Sequence, residues 1–252
     1  MLIINADDWG RSKAETDATL ACYQQKRVTS VSAMVFMEDS VRAAELARKH
    51  NVDAGLHLNL NERYSGPVSS NAAAAAHERV MRFMKKTKFA VMLYHPFLRR
   101  DFRVVFQSQW DGFVRLFGKN PSHIDGHQHR HLCANMLLDG IMPRGVKVRR
   151  NFSFWPGEKS ALNRGYRRMV DEWLARRYVL TDYLFNLAEC MSPEKLNRLL
   201  NLSRSSWVEL ETHARLEKEF SFLNSEQFQT ALETIKIAGY ADLPSHGGPI
   251  NL

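Results

Sequence analysis

Four of the ten histidines in this chain lie within nine residues, in the segment HIDGHQHRH at positions 123–131. Its histidine and aspartate side chains recur at every second position, so an extended backbone would point all of them to one side. Such a row of imidazole and carboxylate groups is costly in an apolar core without a metal ion or a complete hydrogen-bond network. The residue types and their spacing therefore predict a metal site.

Two further clusters of ligand-type residues follow predicted strands. Asp7 and Asp8 come after the first apolar run, and His57 and Asn59 share one face of a later strand. Adjacent strand residues point to opposite sides, so Asp7 and Asp8 reach one site only if the backbone turns, as Gly10 allows. A carboxylate with two imidazoles suits Zn²⁺, Mn²⁺, Fe²⁺ or Co²⁺ better than Mg²⁺. Three protein ligands leave positions for water, and a second carboxylate can accept a proton from it.

The elements that must position these clusters alternate between strand and helix. The predicted strands cover residues 2–5, 28–36, 53–60, 122–128, 146–149, 183–186 and 207–211. The predicted helices cover residues 13–25, 40–50, 101–117, 162–177 and 193–200, and the alanine run at 72–76 starts a helix or lies in an insertion. This order is typical of βαβ units with a parallel sheet. No repeat or composition break marks a linker, so we expect one α/β domain over residues 1–252, a barrel or a close relative.

The net charge of +8 comes mainly from one stretch. Residues 141–180 contain ten basic and three acidic residues, a balance of +7. Nucleic-acid binding would require a recognisable module beside this patch, and none is present. The patch is either a solvated helix face or a contact for an anionic substrate, a lipid headgroup or a partner subunit.

Segments that would indicate secretion or membrane insertion are not apparent. No apolar run approaches the roughly 20 residues that span a bilayer, and no basic region precedes the first apolar stretch. Cys22, Cys133 and Cys190 are too widely spaced for a disulfide framework. We therefore expect a cytoplasmic protein with free thiols.

Three motifs resemble the YdjC/ChbG-like carbohydrate deacetylases. NADDWG, GLHLNL and HIDGHQHRH are similar to that family's usual NADDFG, GLHLNLT and HxDSHQHxH. The segments VTSVSAMVF at 28–36 and FGKNPSHID at 117–125 are also similar, so the likeness covers half the chain. VELETH at 208–213 is similar to a late strand that normally ends His-Pro-Gly, but Ala214 and Arg215 follow His213 here.

The resemblance implies a distorted (β/α) barrel related to polysaccharide deacetylases and removal of an N-acetyl group from an amino sugar. It implies one divalent metal ion, zinc or magnesium, with manganese, cobalt and iron as alternatives. The implied metal ligands are Asp8, His57 and His127. Asp7 is the implied general base, and His213 would protonate the leaving amine or orient the substrate.

Four further residues are expected around these groups, as aligners of ligands or as sugar contacts: Asp125, His129, Asn59 and Trp9, where the family has Phe. His123 and His131 receive no role. The loops at 61–88 and 151–165, with Phe152, Phe154 and Trp155, either line a sugar subsite or pack locally.

Two other functions stay open at this point. A metal with a carboxylate base also suits phosphoester hydrolysis, where a two-metal centre is expected. A sugar-binding or regulatory protein that has lost turnover is the second, because the residues after His213 are altered. The expected partner is an acetylated amino sugar, with or without an anionic group. A homodimer of this chain is a further alternative.

Overall fold

The computed structural model describes residues 1–155 and 157–245, so residue 156 of the predicted loop and the last seven residues of the predicted domain lie outside the described residues. Six strands are present there: β1 (Leu2–Trp9), β2 (Ser30–Ala33), β3 (Ala54–Leu58), β4 (Ile124–Gly126), β5 (Tyr183–Asn186) and β6 (Val208–Thr212). The first six α-helices are α1 (Lys13–Gln24), α2 (Ser40–Lys49), α3 (Asn71–Lys86), α4 (Arg99–Phe117), α5 (Ala134–Leu138) and α6 (Ala161–Ala175). The remaining α-helices are α7 (Leu187–Cys190), α8 (Pro193–Ser203), α9 (Glu217–Leu223) and α10 (Glu226–Glu233). Short 3-10 turns cover Lys88–Met92, Pro96–Leu98, His127–Leu132 and Tyr240–Asp242.

The strands hydrogen-bond in the order β4-β3-β2-β1-β6-β5. The pairs β1–β6, β3–β4 and β5–β6 are parallel, as the alternation of strands and helices predicts. Every residue of β1 is buried, since a parallel strand is covered on both faces. The expected α/β class is confirmed.

The chain packs as two compact units. The first comprises residues 1–7, 17–31 and 144 onward, and the second comprises residues 8–16 and 32–143. In the first unit β1 pairs with β6, which places Ala6 opposite Thr212. In the second unit β3 pairs with β4, which places His57 opposite Asp125. The ends of these pairs carry the ligand-type residues.

Helix α4 supplies much of the core of the second unit. Its buried aromatic and aliphatic side chains are Phe102, Val105, Phe106, Phe113 and Phe117, so the aromatic stripe is core, as predicted. The helix ends at Gly118, whose φ of 71° permits a left-handed cap.

The predicted strand at 146–149 is wrong. Only an isolated bridge joins Lys147 to Val179, within the described residues. The segment ends in Arg149 and Arg150, whose side chains form the ion pairs described below. Cys22, Cys133 and Cys190 are free and buried, as expected. Among the described helices, none has the length and apolar character needed to cross a membrane.

His123 is a buried packing residue of the second unit. Its Nε2 lies 3.1 Å from the Ser32 hydroxyl and its Nδ1 lies 3.1 Å from the Ser122 hydroxyl. The ring lies against Gly55, where an added Cβ would come within 2.3 Å of the ring atoms. His123 therefore requires glycine at position 55.

We predict that Gly55→Ala lowers the free energy of unfolding by about 1–3 kcal/mol, because the ring and the strand must move apart. Gly165→Ala is the control, since no atom lies within 4 Å of a Cβ added there in α6, and alanine favours a helix. Chemical denaturation would measure both. Equal stability of Gly55→Ala and the wild type would contradict the packing assignment.

Candidate metal centre

Three buried ligand-type side chains meet in the second unit: Asp8 at the end of β1, His57 in β3 and His127 directly after β4. His127 Nδ1 lies 2.9 Å from Asp8 Oδ1, and His57 Nε2 lies 3.4 Å from the same oxygen. One donor atom from each residue lies within 4.8 Å of the others. A carboxylate and two imidazoles so arranged form a donor set that fits a divalent ion.

The backbone conformation at Asp8 accompanies the contacts of its side chain with the two histidines. Asp8 has a φ of 66°, in the left-handed region that aspartate tolerates better than most residues. The alternation of side chains along β1 is broken there. The sequence placed the turn at Gly10, which also has a positive φ of 86°, but the conformational change begins at the ligand itself.

The predicted row of alternating side chains in residues 123–131 is wrong. Strand β4 ends at Gly126, and Gln128 and His129 have φ values of 53° and 55° inside a 3-10 turn. A Cβ at Gly126 would lie 3.0 Å from that of His131, so a larger residue there would press on the turn. These left-handed residues turn the chain directly after His127, and His129 and His131 follow in the turn with ring centroids 6.1 Å apart.

Asp125 orients His57. Asp125 Oδ1 lies 2.9 Å from His57 Nδ1, and the Ser32 hydroxyl donates to Asp125 Oδ2 at 2.7 Å. Metal-binding histidines commonly place a carboxylate behind the ring in this way, which sets the tautomer and the ring angle. The register of β3 and β4 creates the contact, because it sets these two residues opposite each other.

The triad also controls the ionisation of Asp8. Burial by itself disfavours the charged carboxylate, but hydrogen bonds from His127 and His57 outweigh it and hold the pKa of Asp8 well below its usual range. Asp8 is therefore a carboxylate at neutral pH, which is the form that binds a cation.

Buried amides shape the loop after β3. Asn59 Oδ1 accepts hydrogen bonds from the backbone N–H groups of Asn61 and Glu62, and its amide donates to the Glu62 carbonyl at 2.8 Å. Gln109 of α4 accepts from the Asn59 N–H and donates to the Asn59 carbonyl, both at 2.8 Å. Asn59 thus fixes the loop that carries Glu62.

Glu62 and Arg11 complete the surroundings of the triad, and sequence reasoning missed both. Glu62 Oε2 lies 3.2 Å from His127 Nε2. Arg11 Nε donates to Glu62 Oε1 at 3.0 Å, and its Nη1 lies 3.4 Å from Asp8 Oδ2. Their only sequence signal is position, since Glu62 stands two residues beyond GLHLNL and Arg11 directly follows NADDWG.

A cleft of about 480 Å³ opens beside His127. Four cations line it, namely Arg11, Lys85, Lys88 and Arg130, together with one carboxylate, that of Glu62. This lining favours an anionic group in the cleft.

Trp9 lies in the core. Its side chain is fully buried and its indole N–H donates to the Ala43 carbonyl at 3.1 Å. The sequence suggested a place near the substrate for Trp9, whereas these contacts are those of a packing residue.

The first unit holds a buried ion-pair cluster around Asp7. Arg149 is fully buried and donates to both carboxylate oxygens of Asp7, each at 2.7 Å. Its Nε donates to Glu209 Oε1 at 2.8 Å, and the Tyr240 hydroxyl donates to the other oxygen of Glu209. The planar guanidinium matches this bidentate geometry, so Asp7 is held in one orientation.

Two residues of β6 and its following loop lie beside Asp7. One ligand-type atom from each of Asp7, Glu211 and His213 falls within 4.8 Å of the others. Burial and the charge of Asp7 raise the pKa of Glu211 to about 8, although Arg149 opposes the shift. Glu211 therefore carries a proton at neutral pH.

Glu219 of α9 holds the loop after β6, where Ala214 and Arg215 replace the usual Pro-Gly. Its Oε2 accepts from the Thr212 hydroxyl at 2.8 Å and from the His213 N–H at 2.7 Å. Ala214 is buried, and the Leu216 N–H donates to the His213 carbonyl at 2.9 Å. This loop is thus fixed by side-chain hydrogen bonds.

The basic stretch at 141–180 is not a uniform surface patch. Arg149 is buried in the Asp7 cluster, and Arg150 pairs with Asp171 at 2.9 Å. In the adjacent loop Trp155 stacks on Phe185 with ring centroids 4.9 Å apart. The cations Lys159 and Arg167 lie 5.1 and 5.0 Å from the ring centroid of Phe154. These contacts are local packing.

Comparison with known proteins places these motifs in a wider group. The family described as YdjC-like protein matches residues 1–234. The carbohydrate deacetylase of Mus musculus is 32% identical over 158 residues, which are 59% of this chain and 49% of the mouse protein. The chain thus matches about half the length of this curated relative.

Two solved structures have a similar fold. A protein of Enterococcus faecalis V583, described as a cellobiose-phosphate cleavage protein, superposes with a TM-score of 0.66 at 20% identity, over 96% of this chain and 98% of its own. The Xyl-CE4 domain of a multidomain xylanase from the hindgut metagenome of Trinervitermes trinervoides gives a TM-score of 0.50 at 7% identity, over 96% and 88%. The expected fold class is confirmed, because both superpositions cover 96% of this chain.

We predict that Asp125→Asn weakens binding of Zn²⁺ by about 10- to 100-fold, because His57 loses the carboxylate that orients it. Competition with a fluorescent chelator measures the affinity. His50→Ala, at the end of α2, is the histidine control. Unchanged affinity in Asp125→Asn would show that the His57–Asp125 contact does not support metal binding.

Glu211 makes the stability of the fold depend on pH. Its pKa is about 8 in the folded chain against a reference of 4.5, so folding favours the protonated carboxyl group. The free energy of unfolding therefore falls as the pH rises from about 5 through 8. We predict that Glu211→Gln removes this loss and melts about 3 °C or more above the wild type at pH 9, with little difference at pH 4. Melting curves with a chelator present measure it.

The exposed Glu233 of α10 provides the matched control, Glu233→Gln. Its melting curve is expected to follow that of the wild type across the same pH range. If Glu211→Gln did so too, burial would not be raising the pKa of Glu211.

Proposed function

Because the chain belongs to the YdjC-like protein family, we propose that it removes the N-acetyl group from an amino sugar by metal-dependent hydrolysis. The observation that carries the proposal is the buried donor set of Asp8, His57 and His127, with Asp125 behind His57. The family includes relatives named as carbohydrate deacetylases, which supports this reaction class.

Asp8, His57 and His127 are the residues that would hold the ion, with zinc or magnesium as first candidates and manganese, cobalt or iron as alternatives. When bound, a divalent ion there supplies Lewis-acid polarisation of the acetyl carbonyl and makes water more acidic. Arg11 and Glu62 lie beside the triad and narrow the approach to His127.

Asp7 is the proposed general base. It directly precedes Asp8 in the chain, so its Cα lies about 3.8 Å from that of a proposed metal ligand. Arg149 donates to both oxygens of Asp7 and the Asn5 amide donates to Oδ1 at 3.2 Å, and these hydrogen bonds orient the carboxylate that would take the proton of the attacking water. Arg149 is thus a positioning residue that aims the base.

The remaining proton transfer falls to His213. Water adds to the acetyl carbon, the C–N bond breaks, acetate leaves, and the amine nitrogen takes a proton from the imidazole. Glu219 holds the His213 backbone, and the protonated Glu211 keeps the surroundings of Asp7 from gaining another negative charge. His213 would alternatively orient the sugar.

The proposed substrate is an acetylated amino sugar that carries an anionic group. The four cations that line the cleft beside His127 support an anionic group on the substrate. The basic stretch at 141–180 supports it less well, because its Arg149 is buried. An anion there would pair with Lys85, Lys88 or Arg130 while the acetyl group lies at the triad.

Acetate release tests the reaction. Chitooligosaccharides, nucleotide-linked N-acetyl sugars and lipid-linked N-acetyl sugars should be assayed with and without chelator, and we expect chelator-sensitive release from at least one anionic member. Phosphate release without acetate would replace the proposal with phosphoester hydrolysis. Sugar binding without any turnover would indicate a binding or regulatory protein.

We predict that Asp7→Asn lowers kcat by about 10²- to 10⁴-fold, because the amide cannot accept the proton of water. Zn²⁺ affinity should change little, since Asp7 lies outside the proposed ligand set. Asp17→Asn, on the exposed side of α1, is the control. Full activity of Asp7→Asn would overturn the base assignment.

A further inference from the structure

Residues 85–103 of the second unit form a segment that is both basic and apolar, called here the basic–apolar segment. Lys85, Lys86 and Lys88 precede its apolar run, and two arginines, 99 and 100, follow it, with Arg103 one turn later. Asp101 is its single acidic residue, so the balance is +5. Asp101 forms an ion pair with Arg79, in which Nη2 and Oδ1 are 2.7 Å apart.

The apolar side chains between these cations face solvent. Phe97 is 90% exposed, and Phe89, Met92 and Leu93 are each about half exposed. With Tyr94, they make five of the eleven exposed large hydrophobic residues found in the described part of the chain. Concentrations of this kind mark interaction surfaces, because isolated exposed residues are normal but clusters are not.

This exposure does not come from a loose loop. Ala90 is fully buried, and the backbone of His95 is fixed by Asn135, whose Oδ1 accepts from the His95 N–H at 2.9 Å and whose amide donates to the His95 carbonyl at 3.0 Å. Phe102 of the segment is fully buried, and its ring centroid lies 6.5 Å from that of Phe83. The segment is anchored so that its large side chains point outward.

We propose that the basic–apolar segment docks on an anionic lipid bilayer. Aromatic and aliphatic side chains insert at the headgroup boundary, and flanking lysines and arginines pair with anionic lipids. A second copy of this segment is a poor match, because two faces that both stay net positive after Arg99 pairs with Asp139 would repel each other. Met92 and Leu93 have no ring to stack on bases, so a nucleic acid fits less well.

The segment is continuous with the cleft beside His127. Lys85 and Lys88 belong to the segment and also line the cleft. Docking would therefore place lipid headgroups next to the metal triad, and an acetylated amino sugar carried on a lipid is the substrate that this arrangement favours. This last step rests on the proposed function, whereas the docking itself does not.

Vesicle co-sedimentation of the full chain tests the docking. The probes are vesicles of phosphatidylcholine alone and vesicles in which about one third of the lipid is phosphatidylglycerol. We expect binding to the anionic vesicles only, weakened by salt. Both Met92→Ser/Leu93→Ser/Phe97→Ser and Lys86→Gln/Arg100→Gln should lower the partition coefficient by about tenfold or more.

The matched control is Leu162→Ser/Tyr166→Ser/Met169→Ser, which removes an exposed apolar stripe of equal size from α6. Circular dichroism confirms that each variant is folded. Binding that is unaffected by the segment variants but lost in the α6 variant would overturn the proposal, as would equal binding to both kinds of vesicle. A change of oligomeric state without a change in vesicle binding would assign the surface to a second copy. None of these readouts depends on deacetylation.

Discussion

The burial of two consecutive carboxylates, Asp7 and Asp8, is the constraint around which the chain is arranged. Neither charge can leave water without its own partners, because an unpaired buried carboxylate costs several kcal/mol. Arg149 satisfies Asp7 with two hydrogen bonds, and two imidazoles satisfy Asp8. Asp8 has a left-handed φ of 66°, and each of the two carboxylates is held by its own set of partners.

This division of partners gives the acidic groups different chemical roles. The imidazoles keep Asp8 ionised, while burial beside Asp7 keeps Glu211 protonated up to a pH of about 8. Carboxyl groups whose surroundings push their pKa values apart can take different roles at neutral pH, because one stays ionised while the other keeps its proton. The same arrangement costs stability at high pH, because the protonated Glu211 cannot be ionised without loss.

The positive charge of the chain is likewise divided by the structure. Arg149 is a buried counter-ion, Arg150 is paired with Asp171, and the cations beside His127 line a cleft. Arg11 of the cleft pairs with Glu62 and Asp8, so Lys85, Lys88 and Arg130 are the cleft cations that an anionic ligand would meet. The lysines of this group continue into an exposed apolar surface, so the proposed anionic substrate and the proposed docking involve the same residues.

The amino-acid sequence alone determined the residue types of the candidate metal triad, the parallel α/β order and the helical stripe of α4, because these depend on local spacing. It did not predict Arg149, whose partner Asp7 is 142 residues away, or Glu62 and Glu211. It also predicted an extended run through His131, which left-handed residues at 128 and 129 interrupt, and it placed Trp9 near substrate although Trp9 is core. Only tertiary structure decides such points, because burial and the pairing of distant charges depend on which strands become neighbours.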